Sequence, residues 1–207
     1  MFYRSVESRC AVVLSELHLP FTDEQALILL QQKGIILEHT NLVELARSCI
    51  KTSSYRRGAL PCEAPMTVDC SSFIKWLYGL MGNWLPRRSI QQRDEPAQHL
   101  TVSELKAGDV VFTSGWINYF HTDPTDGVGH VGIATDEETI IHAANSRVGV
   151  IETPTAEFIK DGFRGARRYI PTDTSLLTFT FPATLNIERS DDLRWVLLQS
   201  LPKISTP

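Results

Sequence analysis

The sequence predicts an α+β protein in which helices come first and short strands follow. Apolar residues recur at helical spacing through roughly the first eighty positions, and short β-branched runs punctuated by turn residues take over from about residue 109 to residue 170. Composition agrees: hydrophobic residues make up 43% and charged residues 21% of 207 positions, the mixture of a folded globular chain with one good core.

"TDEQALILLQQKG" opens with Thr22 and carries Gln25 three residues later, a capping box, and Gly34 is the stop. Asn41 and Glu44 repeat the capping pattern ahead of Leu42, Leu45, Ala46, Cys49 and Ile50, one buried stripe on which Cys49 is a core residue. The Ser-, Gly- and Pro-containing segment "TSSYRRGALPCEAPMT" is a connection. A third helix follows, with Phe73, Leu77 and Leu80 on one stripe, Ile74, Tyr78 and Met81 widening it, and an end near Gly82-Asn83. Asp69 or a neighbour caps it, which places Cys70 in the first turn, where free amides and the helix dipole are expected to lower a thiol's pKa.

Beyond "LPRRSIQQRD", the segments "DVVFT", "HVGIAT", "TIIHAA", "GVIET" and "GARRYI" read as an antiparallel meander. The long connection Ser114 to Gly129 is rich in aromatic residues, and the tail from Pro171 suggests a strand at Leu176 to Phe181 and a short helix from about Ser190.

A net charge of -4, from 20 Lys and Arg against 24 Asp and Glu, offers no general attraction to nucleic acid or anionic lipid. The pairs Arg56-Arg57, Arg87-Arg88 and Arg167-Arg168 read as solvated faces. Cys10, Cys49, Cys62 and Cys70 are too irregularly spaced for a disulfide framework or a metal site, so neither metal nor cofactor is expected. No apolar run has the length to insert stably in a membrane, and the first residues lack the core of a secretory signal. The expected location is therefore the cytoplasm, unless a dedicated route exports the chain.

A nucleophilic thiol needs a base, and the base an orienting group. His18, His39, His99 and His121 lie in helix, cap or loop contexts, whereas His130 and His142 sit on strands joined by a short acidic turn. If that hairpin turns about Glu137, residue 130 faces 144 and residue 132 faces 142, so both histidines share a face as diagonal neighbours about 7–8 Å apart at the backbone. A slip of one residue would separate them. Taken alone, a cysteine at a helix start is most simply a small buried residue; the combination with two strand histidines is what suggests chemistry.

That combination, in "VDCSSFIKWLYG", "LPRRSIQQ", "LKAGDVVF", "HVGIAT", "IIHAANSRVGVIE" and "FRGARRY", resembles the NlpC-type papain-like cysteine peptidases, which cleave peptidoglycan stem peptides, over roughly Leu42 to Ile170. The resemblance implies a papain-like core, with N-terminal helices packed on a small antiparallel sheet. It implies Cys70 as nucleophile, His130 as general base and His142 as the orienting third residue. It also implies Tyr55, Asp69 and Ser71 as substrate-binding groups, which in relatives requiring a free L-Ala bind its amine. Ser72 and Ala59 replace glycines usual in the family, and the Ser114–Gly129 loop is enlarged.

The organisation expected is thus a helical N-terminal extension (1–41), a catalytic domain (42–170) and a C-terminal extension (171–207) of open role. The expected function is hydrolysis of an amide in peptidoglycan stem peptides, at a γ-D-glutamyl linkage, by a Cys-His-His triad. Acyl transfer through the same thioester, or modification of a protein by an effector of the same fold, is the alternative, and a binding module that kept the fold is a further one.

Overall fold

The structure is a computed structural model, described for residues 2–114, 127–171 and 175–201. In chain order its elements are β1 (Arg9–Val13), α1 (Asp23–Gln32), β2 (Ile36–Glu38), α2 (Leu42–Ser48), β3 (Ser54–Tyr55), β4 (Thr67–Val68), α3 (Cys70–Leu80), α4 (Ser89–Asp94) and β5 (Gln98–Leu100). There follow β6 (Val110–Thr113), β7 (His130–Ala134), β8 (Thr139–Asn145), β9 (Gly149–Pro154), α5 (Thr155–Phe158), β10 (Phe163–Arg168), β11 (Leu176–Thr180) and α6 (Asp192–Leu198). They divide into two compact units, one taking the described residues of 41–78 and 85–171, the other those of 1–40, 79–84 and 172–207.

The larger unit is built on a six-stranded antiparallel sheet in the order β5-β10-β6-β7-β8-β9. Four of the five strands expected as a meander do follow one another in space. The fifth departs from it: β10 crosses back to lie between β5 and β6, pairing with both. In α3, Phe73, Ile74, Leu77 and Tyr78 are buried, the face expected from their spacing. The Tyr78 hydroxyl donates to the Gly108 carbonyl at 2.6 Å and its ring meets Tyr169 edge-on at 5.4 Å, which ties the helix to the sheet side of the unit. Asn41 caps α2, accepting from the amides of Val43 and Glu44, and Cys49 is buried at its end.

Arg167-Arg168 is not a solvated face, and of Arg87-Arg88 only Arg88 is exposed. Arg168 forms a bidentate pair with buried Asp109, at 2.8 and 2.7 Å, and Arg167 is buried beside it. Arg87 is likewise drawn inward, as described below.

The smaller unit corrects the expectation of a purely helical N-terminal extension. Its residues 1–40 contribute the capped helix α1, with the Thr22–Gln25 capping box, but also strands β1 and β2. "RCAVV" is a buried β-branched run too short for a helix, and it pairs with β11 over its whole length. β11, from the tail, is the central strand of a sheet ordered β1-β11-β2. Leu30 of α1 and Leu193 and Leu197 of α6 pack with Cys10, Val12 and Phe179 in its core. Gly82 lies at φ 72°, and a Cβ there would fall 2.4 Å from the Cys10 carbonyl carbon, so only glycine permits this approach to β1. Residues 115–126, which include His121 and the aromatic part of the long connection, lie outside the described residues.

Candidate active site

Cys70 is the first residue of α3, and the turn that presents it is held by its neighbours. The Asp69 carboxylate accepts from the Ser72 amide at 2.8 Å while the Ser72 hydroxyl accepts from the Asp69 amide at 2.8 Å, a reciprocal cap buried from solvent. The serine standing where the resemblance suggests glycine therefore closes the cap. Arg87 meets both oxygens of the same carboxylate, at 3.0 and 2.5 Å, and also donates to the Ser71 hydroxyl at 2.9 Å and the Ala59 carbonyl at 2.6 Å. With the Gly58 amide at 3.0 Å and the Ser71 hydroxyl at 3.2 Å, Asp69 is fully engaged. Burial alone would raise its pKa, but Arg87 and the Ser72 and Gly58 amides more than offset this and hold it below the usual carboxylate value.

The thiol departs from expectation. Burial pushes the Cys70 pKa up to about 12, and the Asp69 carboxylate adds to the rise. The amides of Ser71 and Val131 and the charge of Arg87 pull the other way without offsetting it. A helix start supplies donors, as expected, yet in a residue only 9% exposed the thiol loses more by leaving water than those donors return. The resting group is therefore a neutral thiol. The Val131 amide that reaches it belongs to the residue after His130, so the start of α3 and the start of β7 meet at Cys70.

The β7–β8 hairpin has the register required to bring the histidines together. Ile133 pairs with Ile141 and Ala134 with Ile140, which sets Gly132 opposite His142 and makes His130 its diagonal neighbour. His130 Nε2 and His142 Nδ1 are 2.8 Å apart, with the rings nearly perpendicular at 83°. His142 Nε2 in turn lies 3.0 Å from the Thr153 hydroxyl on β9. Gly132 makes the crossing possible: a Cβ at that position would sit 2.4 Å from Ile140 Cγ2 and 3.0 Å from His142 Cβ. Phe158 of α5 covers both rings, at centroid distances of 5.5 Å to His130 and 4.9 Å to His142. Burial brings the His130 pKa down to about 4; burial and the neighbouring His130 bring His142 down to about 3. Both imidazoles are thus neutral at physiological pH.

The sequence model of the NlpC/P60 family matches residues 50–168. The chain belongs to the NlpC/P60 family. Within it, the chain is 34% identical over 120 residues to a Corynebacterium glutamicum protein named as a probable endopeptidase, a match covering 58% of this chain and 47% of that one. It is 27% identical over 145 residues to the peptidoglycan DL-endopeptidase CwlO of Bacillus licheniformis, covering 66% of this chain and 30% of CwlO. The chain therefore spans less than half the length of these curated relatives. An NlpC/P60 family protein from Bacillus cereus superposes with a TM-score of 0.51 at 26% identity, covering 63% of this chain and 39% of that one. The fold is the papain-like one expected, with a helix start set against an antiparallel sheet.

Of the residues singled out from sequence, Cys70, Asp69 and Ser71 share the α3 start, and His130 and His142 share the hairpin. Tyr55 lies on β3, half-buried and paired in parallel with Val68, the residue before Asp69. His99 is an exposed residue of edge strand β5 rather than a loop residue. Four contributors escaped the sequence reading: Arg87, Gly132, Thr153 and Phe158. A signal for Gly132 and Thr153 was present in the alternation of their strands, since each lies an even number of residues from an inward-facing neighbour. Nothing local marks Arg87 or Phe158.

Proposed function

We propose that this protein hydrolyses an amide of peptidoglycan stem peptides, at a γ-D-glutamyl linkage, with Cys70 as nucleophile, His130 as general base and His142 as its orienting partner. The observation that supports this most is the 2.8 Å bond between His130 Nε2 and His142 Nδ1. It leaves His130 Nδ1 as the nitrogen free to serve the thiol, on the strand whose Val131 amide already reaches Cys70. The names of the two curated relatives, a probable endopeptidase and a peptidoglycan DL-endopeptidase, support this chemistry, and the second supports the substrate class.

Because thiol and imidazole are both neutral at rest, the Cys70 proton passes to His130 as the sulfur attacks the carbonyl. The resulting imidazolium gives that proton to the departing amine, and water deprotonated by His130 then releases the acyl group from the thioester. The oxyanion is met by amides of the α3 start, the Cys70 amide among them, a contribution of ~3–4 kcal/mol in comparable sites. Tyr55 and Ser71 meet the peptide, and Asp69, whose oxygens already accept from five donors, shapes their pocket.

The test is mass spectrometry of defined peptidoglycan fragments, free peptides and the same peptides still attached to sugar, after incubation with the protein and with Cys70→Ala. Cleavage after D-glutamate that depends on Cys70 is the expected result. Fragments left intact by a protein whose Cys70 is still alkylated would overturn it in favour of acyl transfer or modification of a protein substrate.

A further inference from the structure

We infer that Thr153 is a positioning residue of the relay, acting through His142 to select the tautomer in which His130 can accept a proton. The inference rests on the assignment of His130 as general base.

Three adjacent strands contribute one group each. His130 on β7 reaches diagonally to His142 on β8, and His142 reaches diagonally to Thr153 on β9, where Ile140 pairs with Thr153 and His142 with Ile151. Two proton arrangements satisfy both hydrogen bonds. In the first, His130 Nε2–H donates to His142 Nδ1, and His142 Nε2–H donates to the Thr153 hydroxyl oxygen. His130 Nδ1 is then bare and can take the thiol proton. In the second every bond runs the other way: Thr153 donates to His142 Nε2, His142 Nδ1–H donates to His130 Nε2, and the His130 proton sits on Nδ1, where it blocks base catalysis.

Only the first arrangement survives proton uptake, because imidazolium at His130 must donate through Nε2. Thr153 is the acceptor at the end of that chain. Its neighbour Glu152 does not compete for the role, since its carboxylate is taken by Arg47, at 3.3 and 3.1 Å, and by the Thr139 hydroxyl at 2.5 Å. A hydroxyl also keeps the buried relay free of formal charge, which a carboxylate in its place would not.

The experiment compares the full chain with Thr153→Val, which keeps the shape and removes the hydroxyl, and Thr153→Ser, which keeps the hydroxyl. Nitrogen-15 NMR of labelled histidines reads the tautomers directly. The wild type should show protonated Nε2 on both His130 and His142, Thr153→Val should move His142 toward protonated Nδ1, and Thr153→Ser should restore the wild-type pattern. Alkylation of Cys70 by iodoacetamide, which needs no peptide substrate, should slow by roughly tenfold in Thr153→Val, as expected for loss of one hydrogen bond from the proton-accepting state. On a cleavable peptide the loss should fall on kcat with KM unchanged.

Unchanged tautomers and alkylation in Thr153→Val would overturn the inference. So would a serine variant that behaves like the valine variant, because the hydroxyl would then be irrelevant. If the wild type cleaves no peptide, the proposed reaction fails by itself, while the NMR and alkylation results still decide the role of Thr153.

Discussion

On the Asp69 side of Cys70 a carboxylate and a guanidinium meet at 2.5 Å and are surrounded by amide and hydroxyl donors, whereas on the His130 side two imidazoles and a hydroxyl share protons with no formal charge. Both groups of residues are largely withdrawn from water and the pKa values fall in both, yet the charge states that result are opposite. Asp69 stays ionised because Arg87 accompanies it inward. The histidines rest neutral because burial opposes their protonation, Phe158 lies against both rings and, among the described residues, no carboxylate bonds to either. A buried polar group can thus be accommodated by pairing its charge or by discarding it. This molecule places one solution on each side of its thiol: the charged side ties the start of α3 to Arg87, and the neutral side is the proposed proton relay.

The sharpest way to separate the two sides is to remove the proposed base. His130→Ala should lower turnover by about 10²–10⁴-fold, the usual range for a lost general base, while urea unfolding shows far less change than substitutions on the charged side. Arg87→Ala should do the reverse. It leaves Asp69 buried without its cation and should cost about 2–3 kcal/mol in urea unfolding, below the ~3–5 kcal/mol of a fully buried pair because Arg87 keeps 31% of its side chain exposed. If Arg87→Ala instead left stability unchanged, the charged side would not be a structural lock.

Gly132→Ala probes the neutral side through packing. The added methyl collides with Ile140 and His142, so a cost of about 1–3 kcal/mol is expected. The histidine rings should also separate, readable as loss of the shared proton resonance in NMR.

The pH dependence of stability tests the neutral side without a substitution. The folded-state pKa values of about 4 for His130 and about 3 for His142 lie below the ordinary value of 6.5, so the unfolded chain binds more protons below that pH. The histidine contribution should be level above about pH 6.5 and be lost as pH falls through the interval down to about 4 and 3. Asp69 adds a separate loss at lower pH: its contribution is full above the ordinary carboxylate value of 3.8 and disappears as pH falls through its depressed folded value. Phe158→Ala should admit water to the rings and move the His130 titration, followed by NMR, upward from about 4. A titration that stays in place would mean that covering by Phe158 is not what keeps the relay neutral.

Much of this arrangement could be read in the chain before its structure. Capping signals at Thr22 and Asn41 and the apolar stripe after Cys70 are local, since helix starts and buried faces depend on residues a few positions apart. The hairpin register followed from a short acidic turn between two alternating runs, because a period of two leaves one in-phase pairing once the turn is placed. That was enough to set His130 and His142 on one face.

Contacts between distant segments had to come from the tertiary structure. Arg87 looked like half of a solvated basic pair until its path brought it to Asp69, eighteen positions earlier. The tail strand around Phe179 had no readable role until it became the centre of a sheet with β1 and β2. The position of Cys70 at a helix start was local information and implied an acidic thiol; how deeply it is buried was not local, and burial decided the outcome. Local chemistry and periodicity are written along the chain, but desolvation and the partner of a buried charge are sums over neighbours that only the folded chain assembles.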